Sequence, residues 1–332
     1  MEALLGKTLT ELQDVALSVG LQKFAGKQLA EWLYVKRVIS FDQMTNISLK
    51  GREALQAKYT IGRHDPIREA VSIDGTKKYL FEVGEQFIES VYIPEDDRAT
   101  LCVSTQAGCK MGCRFCMTGT LGFHGHLSAA DILNQIFYFD DLTNVVFMGE
   151  GEPMDNLDHV LRALEIMTAD YGCAWSPKRI TVSTVGIPAM KRFLEQSECH
   201  LAVSMHNPFA IERKEIMPAE KLLSITDIVA LLKQYDWSHQ RRVSFEYICW
   251  AGLNDTPRHA KELLRLLKGL PCRINLIRFH AGVDRAFPAS DEKQMEWFRD
   301  YLTDNGITTT IRKSRGEDIL AACGMLVNSL TR

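Results

Sequence analysis

No apolar run in this chain approaches the roughly 20 residues that a bilayer-crossing helix requires, which excludes a helical membrane protein. The first residues, Met1-Glu2-Ala3-Leu4-Leu5-Gly6-Lys7, lack the basic stretch and apolar core of a secretory leader. Surplus positive charge is missing too. Lys and Arg number 39 against 42 Asp and Glu, a formal net charge of -3, so any grip on nucleic acid must come from local patches. Repeats and low-complexity linkers are absent. Cysteine is plentiful, but nine is an odd number and three crowd into one loop, which does not suit a secreted disulfide framework. A reducing cytoplasm is expected. The 332 residues, 46% hydrophobic and 24% charged, suit one large or two modest globular domains.

The crowded loop is Gly108-Cys109-Lys110-Met111-Gly112-Cys113-Arg114-Phe115-Cys116, spaced Cys-x3-Cys-x2-Cys after the strand-like run Ala99–Thr105. Such spacing lets one loop aim three sulfurs at a point, as iron–sulfur and structural zinc sites require. Tetrahedral zinc wants four ligands, and no local fourth is present. A cubane cluster on three cysteines keeps one iron open for a substrate, which points to chemistry rather than scaffolding.

Residues 1 to about 70 read as a helical module. Helices are expected from Thr8 to Val19, from Gly26 to Tyr34 and around Ser48 to Tyr59, with a basic tint from Lys23, Lys27, Lys36, Arg37, Lys50 and Arg52. A hairpin follows, Lys78–Val83 and Gln86–Ile93 about Gly84-Glu85. Strands near 100–105, 144–148, 179–183, 200–204, 242–249, 273–279 and 307–312 then alternate with helices near 128–139, 156–169, 186–196, 224–235, 256–268 and 290–304. Such alternation predicts an α/β fold with a parallel sheet and right-handed crossovers, in which an open sheet and a barrel read alike.

Functional groups of such folds gather at the carboxyl ends of strands. One strand after the cysteine loop, Val145–Met148 runs into Gly149-Glu150-Gly151-Glu152-Pro153, where glycines admit a close ligand and carboxylates can receive an ammonium. Later strands end in Ser183, in Ser204-Met205-His206 and in His280, all but Met205 polar. Lys178, Arg179, Lys191, Arg192, Arg241, Arg242, Arg312, Lys313 and Arg315 lie near strand ends or loops and suit phosphates, without reading a base. Cys102 and Cys323 stand apart from the triplet. Cys173, Cys199, Cys249 and Cys272 read as core.

Cys109-x3-Cys113-x2-Cys116, with Phe115 before the last cysteine, resembles the radical S-adenosylmethionine (SAM) signature. Together with Glu89-Ser90-Val91-Tyr92-Ile93-Pro94, Gly149–Pro153 and Ala321-Ala322-Cys323-Gly324, nearly the whole chain resembles the RlmN-type dual-specificity RNA methyltransferases that act on adenine carbon 2. The resemblance implies a partial (β/α)6 radical SAM barrel over 71–332, preceded by a helical accessory, RNA-gripping domain over 1–70. It implies one 4Fe-4S cluster on Cys109, Cys113 and Cys116, and two SAM molecules per methyl transferred. Implied SAM contacts are Gly151, Glu152, Ser183, Ser204, Met205, His206 and His280. The chain departs from the family at Glu150, where Met is usual, and at His280, where many relatives have Asn.

The family's scheme has one SAM methylate the residue matching Cys323. A second SAM is cleaved to a 5′-deoxyadenosyl radical, which takes hydrogen from that methylthio group. The carbon radical adds to adenine, Glu89 accepts the proton, and Cys102 attacks the Cys323 sulfur, leaving a disulfide. The partners implied are 23S ribosomal RNA, transfer RNA and an external one-electron donor such as flavodoxin, with the enzyme a cytoplasmic monomer. Two rivals remain: methylation at carbon 8 of the same adenine, as in the antibiotic-resistance relative, and a non-catalytic RNA-binding protein with a structural metal.

Overall fold

A computed structural model describes residues 1–237, 242–280 and 287–326; Arg241 lies outside the described residues. The chain starts with β1 (Glu2–Ala3), α1 (Leu9–Ser18), α2 (Ala25–Ala30), which continues into a π turn over Glu31–Val35, α3 (Leu49–Lys58) and β2 (Tyr59–Thr60). Thr8 and Glu11 close a capping box on α1, and Ser48 caps α3 through Gly51 N–H at 3.2 Å. Strands β1 and β2 pair in parallel and close this helical unit.

The unit is docked firmly. Arg63 donates to Phe137 O at 2.7 Å, His64 and Asn134 exchange two hydrogen bonds of 3.0 Å, and Arg162 meets Glu11 at 2.7 Å. Basic side chains are partly engaged: Arg37 binds Phe139 O at 2.6 Å and Arg52 binds Asp42 O at 2.7 Å, whereas Lys23, Lys27 and Lys50 stay exposed.

Next come β3 (Arg68–Val71), β4 (Lys77–Val83), β5 (Gln86–Glu95) and β6 (Arg98–Cys102), all antiparallel neighbours. The cysteine loop lies between β7 (Gln106–Gly108) and β8 (Phe123–His126), with the short α4 (Met117–Thr120) inside it. The remainder alternates: α5 (Ala129–Phe137), β9 (Asn144–Phe147), α6 (Leu157–Thr168), β10 (Ile180–Thr184), α7 (Met190–Gln196), β11 (His200–Ser204), α8 (Ala210–Ile216), α9 (Ile225–Gln234), β12 (Val243–Cys249), α10 (Pro257–Leu267), β13 (Cys272–Arg278), α11 (Glu292–Asp304) and β14 (Thr308–Ile311).

The large sheet runs β14-β13-β12-β11-β10-β9-β6-β5-β4-β3, parallel from β6 to β14. Each parallel strand sits beside the next in sequence, with no reversal of order. That excludes the doubly wound sheet, whose order reverses at a switch point, and leaves a barrel wall. The wall is unclosed, because β14 and β3 end it. The parallel strands β6, β9, β10, β11, β12 and β13 make the expected six, and β14 adds a seventh. All seven residues of β12 are buried, as a strand covered on both faces demands. Among the described residues no helix is long and apolar enough to cross a membrane.

Candidate active site

The cysteine loop is shaped by backbone that only glycine tolerates. Gly108 has φ +69, and a Cβ there would stand 1.9 Å from Gly122 O. That close approach lets Cys109 N–H reach Gly122 O at 2.8 Å and folds the loop back on itself. Cys116 N–H donates to Cys113 O at 3.1 Å, and Arg114 N–H anchors the loop to Ile216 O at 3.0 Å.

All three cysteines line one cleft of about 870 Å³ at the carboxyl ends of β9, β10, β11 and β12. Burial pushes Cys109 up to about 12 and Cys113 well above an ordinary thiol, and raises Cys116; Cys116 adds to the rise of the other two, and Cys109 to that of Cys113. Three crowded, dry thiols favour a positively charged partner that removes their protons, which fits an iron–sulfur cluster. Among the described residues no three His, Cys, Asp or Glu side chains are drawn up around a single-ion position. A cubane is wider than one ion and asks its ligands to stand apart.

The loop after β9 divides its two acids. Glu152 lines the cleft with both oxygens engaged: Oε1 accepts from Thr184 Oγ1 at 2.6 Å and Met154 N–H at 3.1 Å, and Oε2 from Val185 N–H at 2.9 Å. About one of its four lone-pair positions is left for a ligand donor. Burial, against those hydrogen bonds, lifts it to about 7. Gly151, with φ +95, brings its backbone against Gln106. Glu150 turns the other way. Its Oε1 accepts from Glu89 N–H at 2.7 Å and its Oε2 from Gly108 N–H at 3.4 Å, so it staples β5 to the root of the cysteine loop.

Ser183, Ser204 and His206 line the cleft. His206 Nδ1 accepts from Ile248 N–H at 3.0 Å, which leaves the proton on Nε2. Burial, helped by Arg213, drives His206 down to about 3, so its ring is a neutral donor. Met205 does not line the cleft with its two neighbours. It is fully buried in the core, its N–H is held by Glu246 O at 2.9 Å and its O by Arg213 at 3.0 Å, because alternate residues at a strand end face opposite sides. His280 is also outside the cleft lining, paired with Ser314 and with Glu317 at 3.4 Å. Glu89 faces a second cavity instead, where Lys78 meets it at 3.0 Å with both side chains almost wholly buried.

Cys323 opens into the cleft, and Cys102 ends β6 close behind it; both thiols are free. Burial lifts Cys102 to about 12, with the neighbouring Cys323 adding to it. Cys323 is exposed as a residue, yet the packing around its sulfur raises its thiol too, opposed chiefly by Arg312.

Three charged residues belong to the site without any motif to mark them. Arg312, which the sequence places only among possible phosphate contacts, lines the cleft beside both thiols and meets Glu246 at 3.4 Å. Glu246 takes Asn275 Nδ2 at 2.8 Å on Oε1, while its buried Oε2 has no hydrogen-bond partner. Arg213, fully buried, ties Val185 O at 2.6 Å and Ser204 O at 2.8 Å, fixing two strand ends. An acid inside the apolar run of β12 was the one available signal.

Comparison with known proteins agrees with this geometry. Residues 103–277 match the radical SAM superfamily, and residues 3–61 match the ribosomal RNA large subunit methyltransferase N-terminal domain. A probable dual-specificity RNA methyltransferase RlmN of Bacteroides thetaiotaomicron is 59% identical over 328 residues, covering 97% of this chain and 95% of the relative. The dual-specificity RNA methyltransferase RlmN of Syntrophus aciditrophicus is 39% identical, covering 96% and 94%. The crystal structure of a radical SAM methyltransferase from Sphaerobacter thermophilus superposes with a TM-score of 0.91 at 35% identity, covering 98% of this chain and 99% of that one. With its cysteine loop, its unclosed barrel wall and these relatives along nearly its full length, the chain belongs to the RlmN family of radical SAM methyltransferases.

Proposed function

We propose that this enzyme methylates carbon 2 of adenine in 23S ribosomal RNA and in transfer RNA, with Cys323 as methyl carrier. The observation that carries the reading is that Cys323 and Arg312 line the same cleft as the three loop cysteines, with Cys102 close behind them. Carbon 2 of adenine is electron-poor and has no lone pair, so it cannot take a methyl from SAM by polar attack; a thiolate can.

Cys109, Cys113 and Cys116 would hold the 4Fe-4S cluster, and cluster and SAM together supply one-electron chemistry. The chain's own residues do the rest. Glu152 receives the SAM ammonium on its remaining lone pair, with Gly151 allowing close approach. Ser183 and Ser204 offer hydroxyls and His206 its Nε2 proton. Glu246 Oε2, buried without a partner, suits a hydroxyl or amino donor of the same ligand. Arg312 favours the Cys323 thiolate for the first transfer. From the adjoining cavity behind the Cys323 segment, Glu89 is the acceptor that the family resemblance assigns to the proton released from the base. Cys102 frees the product by attacking the Cys323 sulfur, forming a Cys102–Cys323 disulfide as the bond from that sulfur to the new methyl carbon breaks. Residues 1–70 form the accessory RNA-gripping unit, with Lys23, Lys27 and Lys50 exposed for phosphates. The enzyme works as a cytoplasmic monomer fed by an external one-electron donor such as flavodoxin.

The test is anaerobic reconstitution with SAM and RNA, followed by nucleoside mass analysis. The expected product is 2-methyladenosine. Methylation at carbon 8 would assign the rival activity, and a protein holding no iron or sulfide would end the enzymatic reading.

A further inference from the structure

The segment carrying Cys323 leaves β14 and crosses the end of the antiparallel strands. It is held there by a reciprocal pair of carboxylates. Asp74, in the turn between β3 and β4, accepts Gly316 N–H on Oδ2 at 3.0 Å. Asp318, in the segment itself, accepts Ile73 N–H on Oδ2 at 3.1 Å and the Ser72 hydroxyl on Oδ1. Each turn thus caps the other. Lys78 adds a third tie, donating to Leu320 O at 3.4 Å while paired to Glu89.

The backbone inside this clasp is one that the chain would not choose alone. Gly316 has φ +65, and a Cβ there would stand 2.7 Å from Ala321 Cβ and 3.0 Å from Thr76. Leu320 holds φ 55, a left-handed conformation that costs a bulky side chain and persists only where surroundings over-determine it. Beyond the turn, Ala321 and Leu326 pack on Val91, and Ala322 and Met325 pack on Met117. Gly324 O takes Met117 N–H at 2.7 Å, and Leu326 O takes Thr118 Oγ1 at 2.9 Å. Cys323 sits between two anchored ends, one on the clasp and one on the helix of the cysteine loop.

The clasped turn is also a partition. Asp318, Ile319 and Leu320 wall the cavity that holds Glu89 and Lys78, while Cys323 and Gly324 wall the cleft. Where this segment lies decides whether the sulfur faces the SAM cleft or swings away from it. Hydrogen bonds from Thr76 and Gly316 outweigh burial and hold Asp74 down to about 2, so the clasp is charged throughout the neutral range.

We propose that Asp74 and Asp318 are positioning residues whose reciprocal clasp sets the place of the Cys323 sulfur in the cleft. The proposal rests on the reading of Cys323 as methyl carrier. The test uses full-length, cluster-loaded protein under anaerobic conditions. Iodoacetamide alkylation at Cys323, followed by peptide mass spectrometry, reports the sulfur's freedom; methylation of Cys323 by SAM without RNA reports its placement. For Asp318→Ala, which loses both acceptors, alkylation is expected to accelerate and methylation to slow, each by about tenfold, with iron content unchanged. Asp318→Asn keeps one acceptor and falls between. Should Asp318→Ala fold poorly, Ser72→Ala loses the hydroxyl that donates to Asp318 and accepts Asp74 N–H at 3.3 Å, leaves Asp318 its bond from Ile73 N–H, and shifts both rates the same way by less. Both rates within about twofold of wild type in the folded variants would overturn the clasp. A wild-type protein that never methylates Cys323 would instead overturn the carrier reading, and the alkylation contrast would still decide the clasp.

Discussion

Arg312 meets Glu246 at 3.4 Å across β13, and this pairing holds a guanidinium beside Cys323 and Cys102. Burial raises the Cys323 thiol, and Arg312 is the chief group that draws it back. Arg312→Met removes that opposition. The alkylation midpoint of Cys323 is expected to move to higher pH. At a fixed pH below the midpoint, a move of one on the pH scale costs about tenfold in thiolate. Methylation of Cys323 by SAM should slow in step, with the iron content unchanged. A midpoint that stays where it was would remove Arg312 from the chemistry.

The two thiols outside the loop are expected to fail differently when deleted. Cys323→Ala removes the proposed methyl carrier, so methyl transfer to RNA is expected to be abolished while the visible absorption of the cluster persists. Cys102→Ala leaves the carrier but removes the nucleophile proposed to free the product, so a covalent protein–RNA adduct should accumulate. Denaturing gels with labelled RNA separate the outcomes. Turnover by the first variant, or clean product from the second, would reassign the residue concerned.

Much of this was legible in the chain itself. The parallel strands are short apolar runs set between amphipathic helices, and every expected strand and helix of that series has its counterpart in the fold. The open sheet and the barrel could not be separated by pattern, because strand order is a long-range property that local periodicity does not encode. The ribbon β7–β8 was hidden, being three and four residues long and rich in glycine. Met205 sat in a family motif, yet strand parity alone puts it opposite Ser204 and His206. Lys78 and Arg213 look like surface charges in sequence, and only the apolar run around Glu246 marks it as interior. Each is held in the interior by partners that only the folded chain brings together, Leu320 O for Lys78, Val185 O for Arg213 and Asn275 for Glu246, and Asp74 meeting Gly316 is the same problem across most of the chain's length.

Gly108 tests how the cysteine loop is made. Gly108→Ala needs a side chain at φ +69 and would press its Cβ to 1.9 Å from Gly122 O, a backbone atom that cannot step aside. The β7–β8 ribbon should open and Cys109 lose its place. The expected result is reconstituted protein with sharply reduced iron and sulfide, while far-ultraviolet circular dichroism stays near wild type. Full cluster loading would show that the ribbon is not what sets the ligand geometry.

Glu150 is the departure whose consequence can be worked out in sign. Burial pushes its carboxyl from 4.5 up to about 8, so the folded protein keeps this proton over a range in which the unfolded chain has lost it. Folding then binds a proton, and stability falls as pH rises from about 4.5 to 8, by up to roughly 1.4 kcal/mol per pH unit. Glu150→Gln cannot ionise and keeps one acceptor for Glu89 N–H. Its melting temperature relative to wild type should therefore climb through that window and level off above it. Glu152, lifted to about 7 by burial, is common to both proteins and leaves a shared slope in each curve. Thermal unfolding of both across a pH series measures the difference, and two parallel curves would mean that Glu150 carries no proton into the folded state.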